Sequence, residues 1–385
     1  MTHPLAELGT DELRTRRSVK WRYFPPDVLP AWVAEMDTPL APPIAEALAA
    51  AVRSGDTGYA MAGDLPEVFT EFAERRYGWR PDPARMILMP DVMRGIVEVL
   101  SLVTEPGAKV VVNPPVYPPF FFWLDRIGRQ VVQSPLRLDA DGYHLDLDRL
   151  ERDFAAGAAA YLLCNPHNPT GVVLGREELT AIIDLADRYG VRIVVDEIHA
   201  PLTYPEATHV PFGSLPGSER AVIGVSASKA WNLAGLKAAL LVAGPEAWPE
   251  VSQIPEEVQF SASLFGVIAS EAAFSAGEPW LEALLADLDS NRVLLGNLLD
   301  EHVPSVRYRK PHGTYLAWLD CRPLRLPSDP AEIFLEYGKV AVNSGPTFGE
   351  GGDGFVRLNL ATAPELLTEA VRRIGVATQA ALAGR

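Results

Sequence analysis

The chain has 385 residues, 48% of them hydrophobic and 22% charged, with 34 basic against 50 acidic side chains and a formal charge of −16. That length accommodates two or three domains and a core that needs no staples, while the charge excludes nucleic acid or an anionic membrane as a main partner. Two cysteines, Cys164 and Cys321, exclude a disulfide framework or a zinc knuckle.

In chain order, residues 1–43 are rich in proline (among them Pro25, Pro26, Pro30, Pro39, Pro42 and Pro43) and read as an extended arm with a short helix. The opening segment lacks a signal-peptide apolar core, and the longest uncharged run, Phe154–Gly175, is broken by Asn165-Pro-His-Asn-Pro169. A cytoplasmic protein without a membrane span is therefore expected. Short apolar runs follow at Lys109–Val112, Gln130–Gln133, Ala158–Cys164, Arg192–Asp196, Ala221–Ser226 and Ala239–Ala243. Several are rich in Val and Ile and uninterrupted by charge, as strands buried on both faces should be. Helical patterns lie between them, such as Arg176–Tyr189, where Leu179, Ile182, Ile183 and Ala186 share a face and Gly190 is a C-terminal stop. This alternation predicts an α/β fold around a mostly parallel sheet. From Trp280 to about His302 a long amphipathic helix is predicted. Beyond it come strand-like Gly313–Leu319 and Gly354–Leu360, a loop at Leu324–Asp329, and helices at Pro330–Tyr337 and Pro364–Ala380. These predict a second, smaller α+β domain.

Six lysines stand against 28 arginines. Lys109 and Lys339 read as solvated strand-entry charges, and Lys20 and Lys310 as surface residues. Lys229 differs, because the run Ala221–Ser226 ends in small hydroxyl residues and leads straight to it. Such a place can desolvate an amine, lower its pKa and offer it to an aldehyde; a strand-to-helix loop with a solvated lysine is the plainer alternative. Asn165-Pro-His-Asn-Pro-Thr-Gly171 forms a tight polar loop after another strand, at the sheet edge where ligands bind, or an ordinary turn. Asp196 and Glu197 end a strongly apolar strand, where a buried carboxylate needs a cationic or hydrogen-bonding partner. Only one histidine is near, so a metal site is not expected. An amine, a carboxylate able to hold a ring nitrogen protonated, and a rigid polar loop are together what pyridoxal 5'-phosphate requires.

At this point the residues resemble the aminotransferase class I/II superfamily of fold-type I pyridoxal-phosphate enzymes, and within it the MalY/PatB-like cystathionine β-lyase (C–S lyase) branch. The resemblance runs from Trp32-Val-Ala-Glu-Met-Asp37 through Asn165–Gly171, Asp196-Glu-Ile-His199 and Ser226-Ala-Ser-Lys229 to Gly313-Thr-Tyr-Leu-Ala-Trp318, Thr347-Phe-Gly-Glu-Gly-Gly352 and Phe355-Val-Arg-Leu-Asn359. It implies a seven-stranded, mostly parallel sheet in a large cofactor-binding domain (44–280), a small C-terminal domain (281–385), and an arm (1–43) that joins the small one. It implies that Lys229 binds the cofactor's aldehyde and then shuttles the substrate's Cα proton. Asp196 would pair with the ring nitrogen, Asn168 would donate to the phenolic oxygen with His199 nearby, and Tyr117 would stack on the ring. Ser226, Ser228, Lys237 and the backbone N–H groups of Val92 and Met93 would hold the phosphate. Arg357 would clamp the substrate carboxylate, with Asn168 and Tyr117 also facing the substrate, and Tyr59 would reach the phosphate of the other subunit in a homodimer. Read without the resemblance, Arg357 is an outward strand residue, Tyr59 a core tyrosine, Trp32 and Trp231 packing residues, and His167 a turn residue.

The implied reaction is α,β-elimination from L-cystathionine or another L-cysteine S-conjugate, giving a thiol, pyruvate and ammonia; transamination uses the same residues. The branch usually carries Asp after Trp-Val-Ala, where Glu35 stands here. Ala200-Pro-Leu-Thr-Tyr204 and Asn343-Ser-Gly-Pro346 depart as well, which puts the substrate's side chain in doubt. A remote alternative from another class is a serine hydrolase, since Gly224-Val-Ser-Ala-Ser228 nearly matches the G-x-S-x-G elbow.

Overall fold

The computed structural model describes residues 3–383. Its main sheet has seven strands: β1 (Met86–Met89), β2 (Lys109–Val112), β3 (Gln130–Gln133), β4 (Ala158–Cys164), β5 (Arg192–Asp196), β6 (Val222–Val225) and β7 (Ala239–Ala243). Their spatial order is β1-β7-β6-β5-β4-β2-β3. All pairings are parallel except those of β7, which runs antiparallel to both neighbours. Five of the six apolar runs are strands over the expected residues, and Ala221–Ser226 is trimmed by one residue at each end.

Alternate residues of the central strands pack into two separate cores. Val110, Val112, Leu162, Val194 and Leu241 face one way, toward the helix Val92–Val103. Val111, Tyr161, Leu163, Val195 and Ile223 face the other, where the helix Arg176–Tyr189 contributes Leu179, Ile182 and Ile183. Burial on both faces explains why these strands read as unbroken apolar runs. Gly190 ends that helix in the left-handed conformation (φ 68°). The helix Val92–Val103 lies close on the sheet because Gly95 and Gly224 leave room: a Cβ there would come within 2.8 Å of Leu241 and 2.6 Å of Val92 respectively. Close approach sets the start of this helix against the C-terminal strand ends.

A second sheet is antiparallel throughout, in the order Arg307–Tyr308, Leu316–Asp320, Phe355–Asn359, Asn343–Ser344. Helices Glu278–His302, Pro330–Gly338 and Pro364–Ala383 pack with it. The strand expected from Gly313 starts only at Leu316, because Gly313 to Tyr315 turn away through Thr314 at φ 70°. The arm joins this region: Leu29–Pro30 pairs in parallel with Val340–Ala341.

Lys20 corrects the sequence reading. It is not a surface residue but 1% exposed, with Nζ 2.7 Å from Asp37 Oδ2 and donating to the Glu35 carbonyl at 3.0 Å. Trp21 Nε1 donates to the other Asp37 oxygen at 2.8 Å. A carboxylate buried this completely needs such a partner and hydrogen bonds to offset its lost hydration. Among the described residues no helix is long and apolar enough to cross a membrane.

Candidate active site

A cavity of about 860 Å³ opens where the parallel strands end, lined among others by Lys229, Asp196, Asn168, His199, Tyr117 and Ser228. β6 delivers Lys229 to it through a locked turn. Ser226 Oγ donates to the Ala238 carbonyl at 2.7 Å and accepts from Ser228 N at 3.0 Å, while Trp231 N and Leu233 N close back onto Ala227 and Ser228. Burial lowers the Lys229 amine to about 8, helped by the Arg357 charge and opposed by Asp196 and Glu35. An amine in that range has an appreciable neutral fraction near physiological pH and can act as base or nucleophile.

Asp196 ends the neighbouring strand. Burial raises its carboxyl to about 6, against the Ile198 N–H bond (3.1 Å) and the Lys229 charge, which both lower it. Oδ1 takes that N–H, and Oδ2 has no protein donor among the described residues. Asn168 is presented by the polar loop after β4. That loop is closed by Gly171 N to His167 O and His167 N to Val172 O, both 2.7 Å. Gly171 sits at φ 71°, where a Cβ would lie 2.2 Å from Pro311, so only glycine fits. His167 is a turn residue: Nε2 lies 3.2 Å from the Asn113 carbonyl, Nδ1 lies 2.9 Å from Thr170 Oγ1, and burial lowers it to about 4.

Arg357 is buried, not outward-facing. Nη1 donates to Asn168 Oδ1 at 3.0 Å, and Nη2 to Asn343 Oδ1 at 2.8 Å and the Trp32 carbonyl at 3.0 Å. Its Nε has no partner, and among the described residues no carboxylate pairs with it. Desolvation lowers it to about 10, still fully charged. A guanidinium buried among neutral acceptors is set to receive an anion. It stands behind Asn168, not in the cavity lining itself. Tyr117 does line the cavity, its phenol pushed up to about 12 by burial. His199 is buried with Nδ1 unpartnered, and desolvation with the Lys229 and Arg357 charges holds it neutral.

The far end of the cavity is the N-terminus of the helix Val92–Val103, where Asp91 caps Arg94 N at 2.8 Å and leaves the Val92 and Met93 N–H groups without helical acceptors. Lys237 Nζ is 3.0 Å from Asp91 Oδ2 there, both half-exposed. Free amides, a lysine and a serine suit a phosphate. The amine, the unsatisfied buried acid opposite, the Asn168 amide and this anion site therefore fit pyridoxal phosphate as a set.

The arm crosses beside this cavity, held by its carbonyl oxygens. Trp32 O accepts from Arg357 Nη2, Val33 O from Asn359 Nδ2 (2.7 Å), Ala34 O from Lys229 Nζ (3.0 Å), Glu35 O from Asn359 Nδ2 (2.6 Å) and Met36 O from Asn232 Nδ2 (2.9 Å). Asn232 also accepts from Met36 N at 2.8 Å, from a left-handed backbone (φ 59°) that asparagine tolerates.

Two expected contacts, those of Ser226 and Tyr59, are not assembled in the single chain. Ser226 is a turn lock set outside the cavity lining, because its hydroxyl is engaged by backbone on both sides. The same bonds leave it no histidine, which removes the hydrolase arrangement. Tyr59 is neither core nor in this cavity: it is 87% exposed and touches Phe260 (centroids 6.3 Å apart). Sequence reasoning missed Tyr315, whose buried hydroxyl has no partner and whose ring edge meets His199. It also missed Asn232 and Asn359, and it noted Asn343 only as a departure in the substrate region and not as a partner of Arg357; the usable signal was amides embedded in apolar segments, as in Phe355–Asn359.

Comparison with known proteins agrees over the full length. The aminotransferase class I and II family pattern matches residues 28–374. A Mycobacterium tuberculosis relative, provisionally named a cystathionine β-lyase, is 49% identical over 399 residues, covering 97% of each chain. The cystathionine β-lyase of Corynebacterium glutamicum is 40% identical, covering 94% of this chain and 97% of its own. A Corynebacterium diphtheriae crystal structure, provisionally named a PLP-dependent β-cystathionase, superposes with a TM-score of 0.92 at 36% identity, over 97% of this chain and 99% of that one.

Proposed function

Because this chain belongs to the aminotransferase class I and II family, we propose that it is a pyridoxal 5'-phosphate-dependent carbon–sulfur lyase that cleaves L-cystathionine or a related L-cysteine S-conjugate. The observation that carries this reading is the buried Lys229 amine sharing one cavity with the buried Asp196 acid, with an un-neutralised Arg357 directly behind. The full-length similarity to a named cystathionine β-lyase supports elimination over transamination.

Bound here, pyridoxal phosphate supplies an aldehyde for an amine and a ring that takes up the electrons of a broken Cα–H bond. Lys229 would tether that aldehyde, and its Nζ would take the substrate's Cα proton; Ala34 O accepts an N–H of the amine and orients it. Asp196 Oδ2 would hold a proton on the ring nitrogen, which would favour its ionised form. Asn168 Nδ2 would donate to the phenolic oxygen beside neutral His199, and Tyr117 would pack against the ring. Val92 N, Met93 N, Ser228 and Lys237 would receive the phosphate. Arg357 binds the substrate carboxylate through its fork. Proton loss at Cα drives the Cβ–S electrons onto sulfur. One conjugate and one water thus become one thiol, one pyruvate and one ammonium.

Tyr59 reaches a phosphate only if a second copy packs against the exposed Tyr59–Phe260 region, so the working unit is a homodimer of cytoplasmic subunits. Each has a large domain (44–280), a small domain (281–385) and the arm. The test is product analysis: L-cystathionine yields pyruvate and homocysteine with no 2-oxo acid added. Turnover that appears only with a 2-oxo acid acceptor assigns the chain to transamination instead.

A further inference from the structure

Along Trp32–Asp37, the stretch of the arm beside the cavity, Glu35 carries a charge that no described residue engages. Glu35 has an immobilised backbone: its N–H donates to Val33 O at 2.8 Å, and its carbonyl accepts from Asn359 Nδ2 at 2.6 Å and Lys20 Nζ at 3.0 Å. The residue before it gives its carbonyl to Lys229, and Trp32, three residues back, gives its carbonyl to Arg357. The Glu35 carboxylate, by contrast, makes no hydrogen bond or ion pair with any described residue, although the side chain is half-buried. The residue before it, Ala34, lines the cavity and holds the Lys229 amine, which places Glu35 at the cavity's margin, and its charge acts on the Lys229 amine and the Tyr315 phenol.

A fixed anion partly withdrawn from water gains from a cation brought to it. The cations at the site have other work: Lys229 serves the substrate's α-amino end, Arg357 its carboxylate, Lys237 the phosphate, and Arg94 is paired with Glu98. What remains for Glu35 is the third arm of the amino acid, the group borne by sulfur. We infer that Glu35 recognises a positive charge on that group, making the enzyme selective for cysteine conjugates whose departing thiol carries an ammonium. The distal amino group of L-cystathionine is one such cation. This inference rests on the lyase reading above and names its substrate class.

Two conjugates of equal length isolate the charge: S-(2-aminoethyl)-L-cysteine, which ends in ammonium, and S-propyl-L-cysteine, which ends in methyl. The measurement is kcat/KM for pyruvate release from each, in the wild-type holoenzyme, Glu35→Gln and Glu35→Asp. Any general effect of Glu35 on Lys229 acts on both substrates and cancels in their ratio. The wild type favours the ammonium conjugate. Glu35→Gln lowers that preference about ten- to a hundredfold, mainly through KM, and Glu35→Asp recovers part of it. Competitive inhibition by 2,7-diaminosuberate, in which a methylene replaces the cystathionine sulfur, weakens by a similar factor in Glu35→Gln. A ratio unchanged by Glu35→Gln overturns the inference and leaves the lyase reading standing. Pyruvate from neither conjugate in the wild type overturns both.

Discussion

Replacing Arg357 separates a carboxylate clamp from a buried structural cation. The guanidinium is 5% exposed and holds three neutral acceptors: Asn168 Oδ1, Asn343 Oδ1 and Trp32 O. With no protein carboxylate beside it, its burial is compensated only when an anion binds. A forked contact with a substrate carboxylate comprises two charge-assisted hydrogen bonds of about 1.5–3 kcal/mol each. Arg357→Ala should therefore lower kcat/KM by about 10²- to 10⁴-fold. Arg357→Lys keeps the charge, loses the fork and should fall between. Pyruvate release, coupled to lactate dehydrogenase, gives the rates. Unfolding midpoints of both variants show whether loss of the Asn168, Asn343 and Trp32 contacts has disturbed the fold. A well-folded Arg357→Ala within about fivefold of wild type would refute the clamp.

Two further outcomes follow from the buried charges. Asp196 is raised from 3.8 to about 6, chiefly by burial, so in cofactor-free protein its stabilising contribution is full below pH 4 and lost as pH rises through 6. Relative to Asp196→Asn, the wild type should thus lose about 2–3 kcal/mol of unfolding free energy between pH 4 and pH 7; a difference that stays flat with pH contradicts this. Lys20→Met strands the Asp37 carboxylate, buried at 1% exposure, and should destabilise by about 3–5 kcal/mol in urea titrations, whereas a loss below about 1 kcal/mol would place the pair's worth elsewhere.

The central strands were legible because burial on both faces selects continuous Val- and Ile-rich runs, as in Lys109–Val112 and Arg192–Asp196. Met86–Met89 was not recognised, since Met-Ile-Leu-Met carries a single β-branched residue and suits a helix equally well. The reversal of β7 left no local trace either, because strand direction is settled by how the chain returns from Lys229 to the sheet. In the site, Lys229, Asp196 and Asn168 stood out because each directly follows or ends such a run. Lys20 did not: its partner Asp37 is distant along the arm, and only the folded arm brings them together. Arg357 looked outward by alternation alone, and Trp32 to Asn343 had to be assembled around it before its burial made sense. Tyr315 was read as an interior residue of a strand from Gly313, whereas the turn at Thr314 leaves it ahead of that strand with its ring against His199.

The account stands on Lys229 as the covalent tether, and borohydride reduction of the yellow holoenzyme tests that most directly. After reduction and proteolysis, mass spectrometry should find the phosphopyridoxyl group on the peptide carrying Lys229, and Lys229→Ala should be colourless and unlabelled. A label on Lys237, the other lysine lining the cavity, or no label at all, would contradict it.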